Sequence, residues 1–341
     1  MHDFDSVISR QVYSRSIEQD PLSHACIDQD TVYCGWLFYA KLFKLGIMNQ
    51  KKSDSIQHDL YKSQSLRDLH WAITSASLIS HSSQDPGSSV NLDLSLINEQ
   101  DLSEFLVPYS RFRVGQYFEG LVLYWLEQIR RLKIVAQNQQ LFVENQTVGE
   151  IDFLFEDEAG ELNHWETAVK YYLYYPAENT TGSHFIGPNA KDNFEKKCRR
   201  LFDYQLPLSE THFPEVVRRA AFVKGIIFYN PHLPALTPLP ERMSPAHGKG
   251  VWLYSSELDW LKTQYSDTVY QIREKPDWLS PAVRDPGIEK LLTFSELKQT
   301  LDVHFQEGDR PLMISILKVV ETDCREIDRL FVVDENWPEQ G

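Results

Sequence analysis

The chain has 341 residues, of which 42% are hydrophobic, 12% aromatic and 24% charged. That composition gives a folded chain with room for one large domain or two modest ones, and it excludes a disordered chain. The 34 basic and 49 acidic residues leave a net charge of -15, which excludes a bulk nucleic-acid binder by charge alone but allows a local basic patch.

The first residues carry two aspartates and no apolar run of the kind a secretory leader needs. Residues 31–46 are apolar and are expected to pack as a helix, followed by a polar, serine-rich link over 51–65. Residues 66–79 read as a helix, with Leu66, Leu69, Ile73 and Leu78 at helical spacing and Trp71 beside that stripe. A loop at 81–89 leads to a second helical unit that ends near Pro108. The pattern over 114–133 predicts one long helix. Strands are expected at 148–156 and 161–175, joined by Asp157-Glu158-Ala159-Gly160. A helix over 188–206 comes next, with Pro188 suited to its first turn. Residues 216–230 read as a helix end or strand leading into a buried strand, 231–250 as a proline-rich loop and 250–255 as a strand. The last third holds a helix near 289–305 and two strands, 310–320 and 328–334. The central order of helix, strand, strand, helix, strand predicts an α/β core sheet preceded by helical additions.

No apolar run approaches the ~18–20 residues of a membrane helix, so no membrane association is expected. Cys26, Cys34, Cys198 and Cys324 form neither a CxxC pair nor a disulfide framework, and a cytoplasmic, reducing location is the expectation. The chain contains no phosphate-binding G-x-x-x-x-G-K-[ST] loop, no G-x-G-x-x-G fingerprint and no G-x-S-x-G elbow.

The chemistry is concentrated in the 149–175 segment. Strand side chains alternate faces, so Ile151, Phe153 and Phe155 should share one face, with Asp152 and Leu154 on the other. On the second strand Leu162, His164, Glu166, Ala168 and Lys170 should share a face. A three-residue hairpin loop with Gly160 in its left-handed last position pairs Asp157 with Glu161 and sets Asp152 opposite Glu166, with β carbons roughly 5 Å apart. A four-residue turn would set Trp165 there instead; the glycine favours the first register. Two facing carboxylates repel, and a divalent cation such as magnesium can offset that repulsion. Lys170 could orient a water or offset phosphate charge, and His164 could add a ligand. A strand that is simply wet on its polar face is the structural alternative.

Glu119 sits among Gly115, Val122, Leu123 and Leu126 on the preceding helix, where a carboxylate is costly unless paired or metal-bound. Its structural reading is a partner for some arginine. In the helix after the hairpin, Phe194, Cys198, Leu201 and Phe202 form the apolar face. Lys197 borders it, with Lys196, Arg199 and Arg200 further round. Residues 191–224 contain eight basic and five acidic residues, and 111–133 five and two. Two locally positive helices beside an acidic hairpin suit a phosphate track, and equally a salt-bridged surface. Gln205 could bond a backbone phosphate or cap the turn.

Glu119 on a first helix, GEIDFL with Asp152, and HWETAVK with Glu166 and Lys170 together resemble the PD-(D/E)XK nuclease superfamily. More specifically, RFRVGQYFE, TVGEIDFLF, HWETAVKYYL and FIGPNAKDNFEKKCRRLFDYQL resemble an uncharacterised bacterial family, a domain of unknown function placed near those nucleases. The likeness runs over roughly residues 66–337. It implies a restriction-endonuclease-like α/β core, a mixed central sheet flanked by helices, over 109–341 with C-terminal elaboration. A mainly helical N-terminal extension would occupy 1–108. It implies Asp152, Glu166 and Glu119 as ligands of Mg2+ or Mn2+, and Lys170 as the catalytic lysine. The phosphate contacts would be Lys197, Lys196, Arg200 and Gln205, and the substrate a DNA or RNA phosphodiester. The superfamily lysine belongs at position 168, where this chain has Ala168; Lys170 lies one strand period, about 6–7 Å, further on. Lys197 could supply the amine from the following helix instead. A nuclease fold without catalysis, binding nucleic acid or protein, is the alternative function.

Overall fold

The computed structural model describes residues 63–80, 92–109, 113–179, 182–234, 239–287, 289–320 and 322–339. The chain divides into Met1–Ser55 and Ile56–Gly341, and every described residue belongs to the second unit. The apolar stretch at 31–46, most of the link at 51–65, the loop at 81–89, Cys26 and Cys34 lie outside the described residues.

Helix α1 (Gln64–Thr74) buries Leu66, Leu69 and Ile73, the expected stripe. It ends earlier than its spacing suggests. Ser75 is extended, in keeping with the preference of serine for helix ends over interiors. Ser77 and Ile79 then bridge Lys224 and Met243, and Leu78 buries in a different cluster, with Tyr172 and Phe194. Helix α2 (Glu99–Leu106) is capped by the Asn98 side chain, which accepts from the amides of Gln100 and Asp101.

Helix α3 (Val114–Tyr124) runs into a π turn, Trp125–Ile129, and stops there. Arg131 takes a left-handed φ of 56°, and the chain enters strand β1 (Lys133–Val143). The single long helix to residue 133 is therefore corrected. β1 is also a strand that the sequence pattern does not announce. It is an edge strand whose interior reads Gln137-Asn138-Gln139-Gln140, so it has little apolar alternation to betray it.

The other strands of the core are β2 (Gln146–Glu156), β3 (Leu162–Tyr174), β4 (Phe185–Ile186), β5 (Arg218–Tyr229) and β6 (Gly248–Tyr254). β7 (Thr268–Arg273), β8 (Val283–Arg284), β9 (Leu312–Val320) and β10 (Asp323–Val333) complete the sheet. Its order is β1-β2-β3-β5-β6-β10-β9-β7, with β4 on β3 and β8 on β10. β3, β5, β6 and β10 run parallel at the centre; antiparallel strands complete both sides. This is a mixed central sheet flanked by helices, as the chain order implies.

Helices cover both faces. α3 and the π turn after it pack through Phe118 and Trp125 on Trp165 and Phe222, whose rings stack at 5.2 Å and 7°. Each such aromatic pair adds about 0.5–1.5 kcal/mol beyond the area it buries. On the opposite face, helix α4 (Phe194–Arg200) and its π turn Leu201–Gln205 bury Phe194, Cys198 and Leu201 against Tyr172, Ala221, Val223 and Ile227. α4 starts six residues later than Pro188, another correction. Asn193 is the true N-cap, accepting from the Lys196 amide at 2.8 Å, and Gly187 to Asp192 close a tight turn before it. Short α5 (Leu208–His212) and α6 (Trp260–Gln264) come after it in the chain. Helix α7 (Phe294–Glu307), opened by a Thr293–Glu296 capping box, packs on β9 and β10. Cys198 and Cys324 are buried free thiols.

Candidate functional site

The β2–β3 hairpin closes as the glycine predicts. Gly160 adopts φ 77°, and the Asp157 amide donates to the Glu161 carbonyl at 2.9 Å. The ladder pairs Glu156 with Leu162 and runs to Phe153 with Trp165, so Asp152 and Glu166 face each other next. The backbone ladder stops there. The Asp152 amide donates instead to Glu166 Oε1 at 3.4 Å, and the Thr167 amide donates to Asp152 Oδ2 at 2.7 Å. The two carboxylates replace the main-chain pairing at the point where the strands separate. The strict alternation on β2 also breaks there: Ile151 buries with Leu154, not with Phe153 and Phe155.

Glu166 is wholly buried, with donors on both oxygens. His164 Nε2 lies 2.9 Å from Oε1, and Gln205 Nε2 donates to Oε2. His164 is itself fully enclosed; its Nδ1 lies 2.8 Å from Ser209 Oγ, which also accepts from Arg219 Nε at 2.8 Å. Burial lowers the His164 pKa to about 4, so the ring is neutral. His164 bonds Ser209 Oγ through Nδ1 and Glu166 Oε1 through Nε2, and the Ser209 hydroxyl has the Leu206 carbonyl at 3.3 Å as its acceptor. Both ring nitrogens are engaged within the protein, so His164 serves to orient Glu166.

Three carboxyls are shifted together. Glu119, Asp152 and Glu166 are each pushed up to about 7. Burial is the largest cause in every case. For Glu119 the next causes are the charges of Asp152 and Glu150, offset by a hydrogen bond from Asn138. For Asp152 the next is Glu166. α3 thus brings Glu119 into the field of the hairpin acids.

The basic residues divide. Lys197 holds Gln205 Oε1 at 3.3 Å, and its charge pulls the Asp152 and Glu166 carboxyls back down. Arg200 acts on Glu166 in the same direction. Lys170 does not join them: its ammonium pairs with Asp192 at 2.6 Å, further along the sheet. Lys196 is exposed on α4. The amine nearest the paired acids electrostatically therefore comes from the helix, with Ala168 on the strand. Ser209, Arg219, Asn138 and Asp192 escape sequence reasoning. Ser209 and Arg219 lie 45 and 55 positions from His164, and no local spacing connects them.

Among the described residues, no group of three or more His, Cys, Asp or Glu side chains could hold a metal ion. The donor set agrees with that: Glu166 is sealed and its oxygens are occupied, while Glu119 contributes through its field. As hydrogen-bonded here, Glu166 offers no open oxygen to a divalent ion. No helix among the described residues is long and apolar enough to cross a membrane.

Fold and site together define a mixed α/β protein with a buried carboxyl pair at a strand junction, bordered by a basic helix. Residues 67–333, well over half of the chain, match the family model described as Domain of unknown function (DUF1853), and the chain belongs to that family. No curated protein and no solved structure matches it.

Proposed function

We propose that this chain is a nucleic-acid-binding module built on a nuclease-like α/β core over 109–341, with α4 as its phosphate-facing element and without hydrolytic chemistry. The observation that carries the reading is the state of Glu166. Its oxygens are taken by His164, Gln205 and the Asp152 amide, and the residue two places on is Ala168, where the superfamily has its lysine. Lys196 and Arg200 are the exposed phosphate contacts in this reading, while Lys197 and Gln205 have turned inward to support the acids.

One observation favours the second reading, a Mg2+- or Mn2+-dependent nuclease. Glu119, Asp152 and Glu166 are each raised to about 7, by burial first, with the Asp152 charge adding to it at Glu119 and the Glu166 charge adding to it at Asp152, and a cation would offset those charges. It requires Gln205 and His164 to release Glu166, with Lys197 as the amine.

One experiment separates them. Labelled single- and double-stranded DNA and RNA are assayed for binding and for cleavage, with EDTA, Mg2+ or Mn2+, beside Asp152→Ala. Binding in EDTA with no cleavage is expected. Metal-dependent cleavage that Asp152→Ala abolishes would replace this reading with the nuclease. Absence of binding to every polymer in every condition would overturn both nucleic-acid readings.

A further inference from the structure

The π turn Leu201–Gln205 is closed by the Leu206 amide on the Leu201 carbonyl at 2.9 Å. A π turn places one extra residue in the helix and rotates the residues after it, a device found often at functional sites. Here it turns Gln205 inward onto Glu166 and leaves Tyr204, its neighbour, outside. The Tyr204 side chain is 65% exposed. Of the exposed large apolar side chains among the described residues, Tyr204 and Phe142 are the two aromatic ones. Phe202, two residues earlier, is covered by the Arg242 guanidinium at 4.0 Å, whereas Tyr204 stacks on no ring or cation among the described residues.

Lys196, Arg200 and Tyr204 succeed one another four residues apart, on the exposed side of this helix. Lys196, Arg199 and Arg200 form no ion pair with any described residue, although the chain carries fifteen net negative charges. Unpaired cations in an acidic protein form a surface complementary to a polyanion. An exposed ring in line with them can stack only on a base that is not already stacked in a duplex.

We infer that Tyr204, with Lys196 and Arg200, is a stacking platform for an unpaired base of single-stranded nucleic acid, held beside the Asp152–Glu166 pair. The inference rests on the nucleic-acid-binding reading and adds which form of nucleic acid is taken. Arg200 ties platform and pair together, since its charge acts on Glu166. The contact reads no sequence, because every base offers a π face.

The test measures affinities of the full chain for oligo-dT, oligo-rU and a DNA duplex in EDTA, for wild type, Tyr204→Ala, Tyr204→Phe and the pair Lys196→Gln with Arg200→Gln. Wild type should prefer the single strands. Tyr204→Ala should lose about 5-fold or more on them with the duplex unchanged, as expected for one stacked base. Tyr204→Phe should retain wild-type affinity, which a hydroxyl contact would not. The two arms, dT and rU, show whether DNA or RNA is preferred. The double charge variant should weaken all three ligands and flatten the salt dependence. If Tyr204→Ala binds single strands as wild type does while the charge variant weakens binding, the platform is overturned and the nucleic-acid reading stands. If wild type binds none of the three, the reading itself fails and the platform with it.

Discussion

Asp152 and Glu166 hold each other's strands. The Asp152 amide donates to the Glu166 carboxylate at 3.4 Å, and the amide after Glu166 donates to the Asp152 carboxylate at 2.7 Å. The acids thus serve as the last rung of the β2–β3 ladder, and two like charges occupy a place where the backbone would otherwise pair. Burial makes both costly to ionise and raises both carboxyls to about 7, with the Glu166 charge adding to the shift at Asp152.

That cost makes stability depend on pH in a definite direction. A carboxyl raised in the folded state binds its proton more tightly there than in the unfolded chain. Its contribution is intact below the unfolded pKa, near 4, and is lost as pH rises through about 7. Asp152→Asn mimics the protonated form at every pH. Its melting temperature relative to wild type should therefore become more favourable from pH 5 to pH 8, read by thermal unfolding in EDTA at several pH values. A constant difference across that range would show that Asp152 is not raised. His164, lowered to about 4, acts with the opposite sign: its contribution is present above pH 6.5 and is lost on acidification towards 4.

Removing His164 should cost about 2–4 kcal/mol, because it takes one hydrogen-bond partner from each of two buried groups, Glu166 and Ser209, and leaves a void. Chemical denaturation of His164→Ala at pH 7.5 measures this. A loss below about 0.5 kcal/mol would mean that the carboxylate finds other donors at no cost.

The two lysines should separate in a titration. Lys197 lowers both acids, so Lys197→Gln should move the Asp152 and Glu166 carboxyls further up, read by carboxyl 13C shifts against pH. Lys170→Gln should leave them in place, since that ammonium is committed to Asp192. The reverse result would return the amine to the strand position nearer the superfamily pattern.

The sequence makes the hairpin legible because its information is local. Gly160 decides the register, and the register decides which carboxylates face. Glu119 is legible for a similar reason: an acid on an apolar helical face must answer to something close by. The strand β1 is not legible, because a solvated edge strand is under no pressure to alternate apolar and polar residues. The inward turn of Gln205 is not legible either. It depends on a π turn, and nothing in LFDYQ distinguishes that turn from a regular helix. The Ser209–His164 contact joins α5 to β3 across 45 residues, and only the completed sheet brings them together.

Two glycines provide the sharpest contrast in backbone terms. Gly160 is left-handed at φ 77° with nothing within 4 Å of a built Cβ, so Gly160→Ala should cost only the conformational strain, about 1 kcal/mol. Gly225 lies on β5 beside β3, paired with Lys170, at φ 155°. A Cβ there would sit 1.9 Å from the Lys170 carbonyl oxygen, a backbone atom that no rotamer change can move. Gly225→Ala should therefore cost more than about 3 kcal/mol, or fail to fold, by forcing apart the parallel pair that carries Glu166. Denaturant midpoints of the two variants, measured side by side, check this. Equal losses would mean that β3 and β5 lie further apart at Lys170 than this register requires.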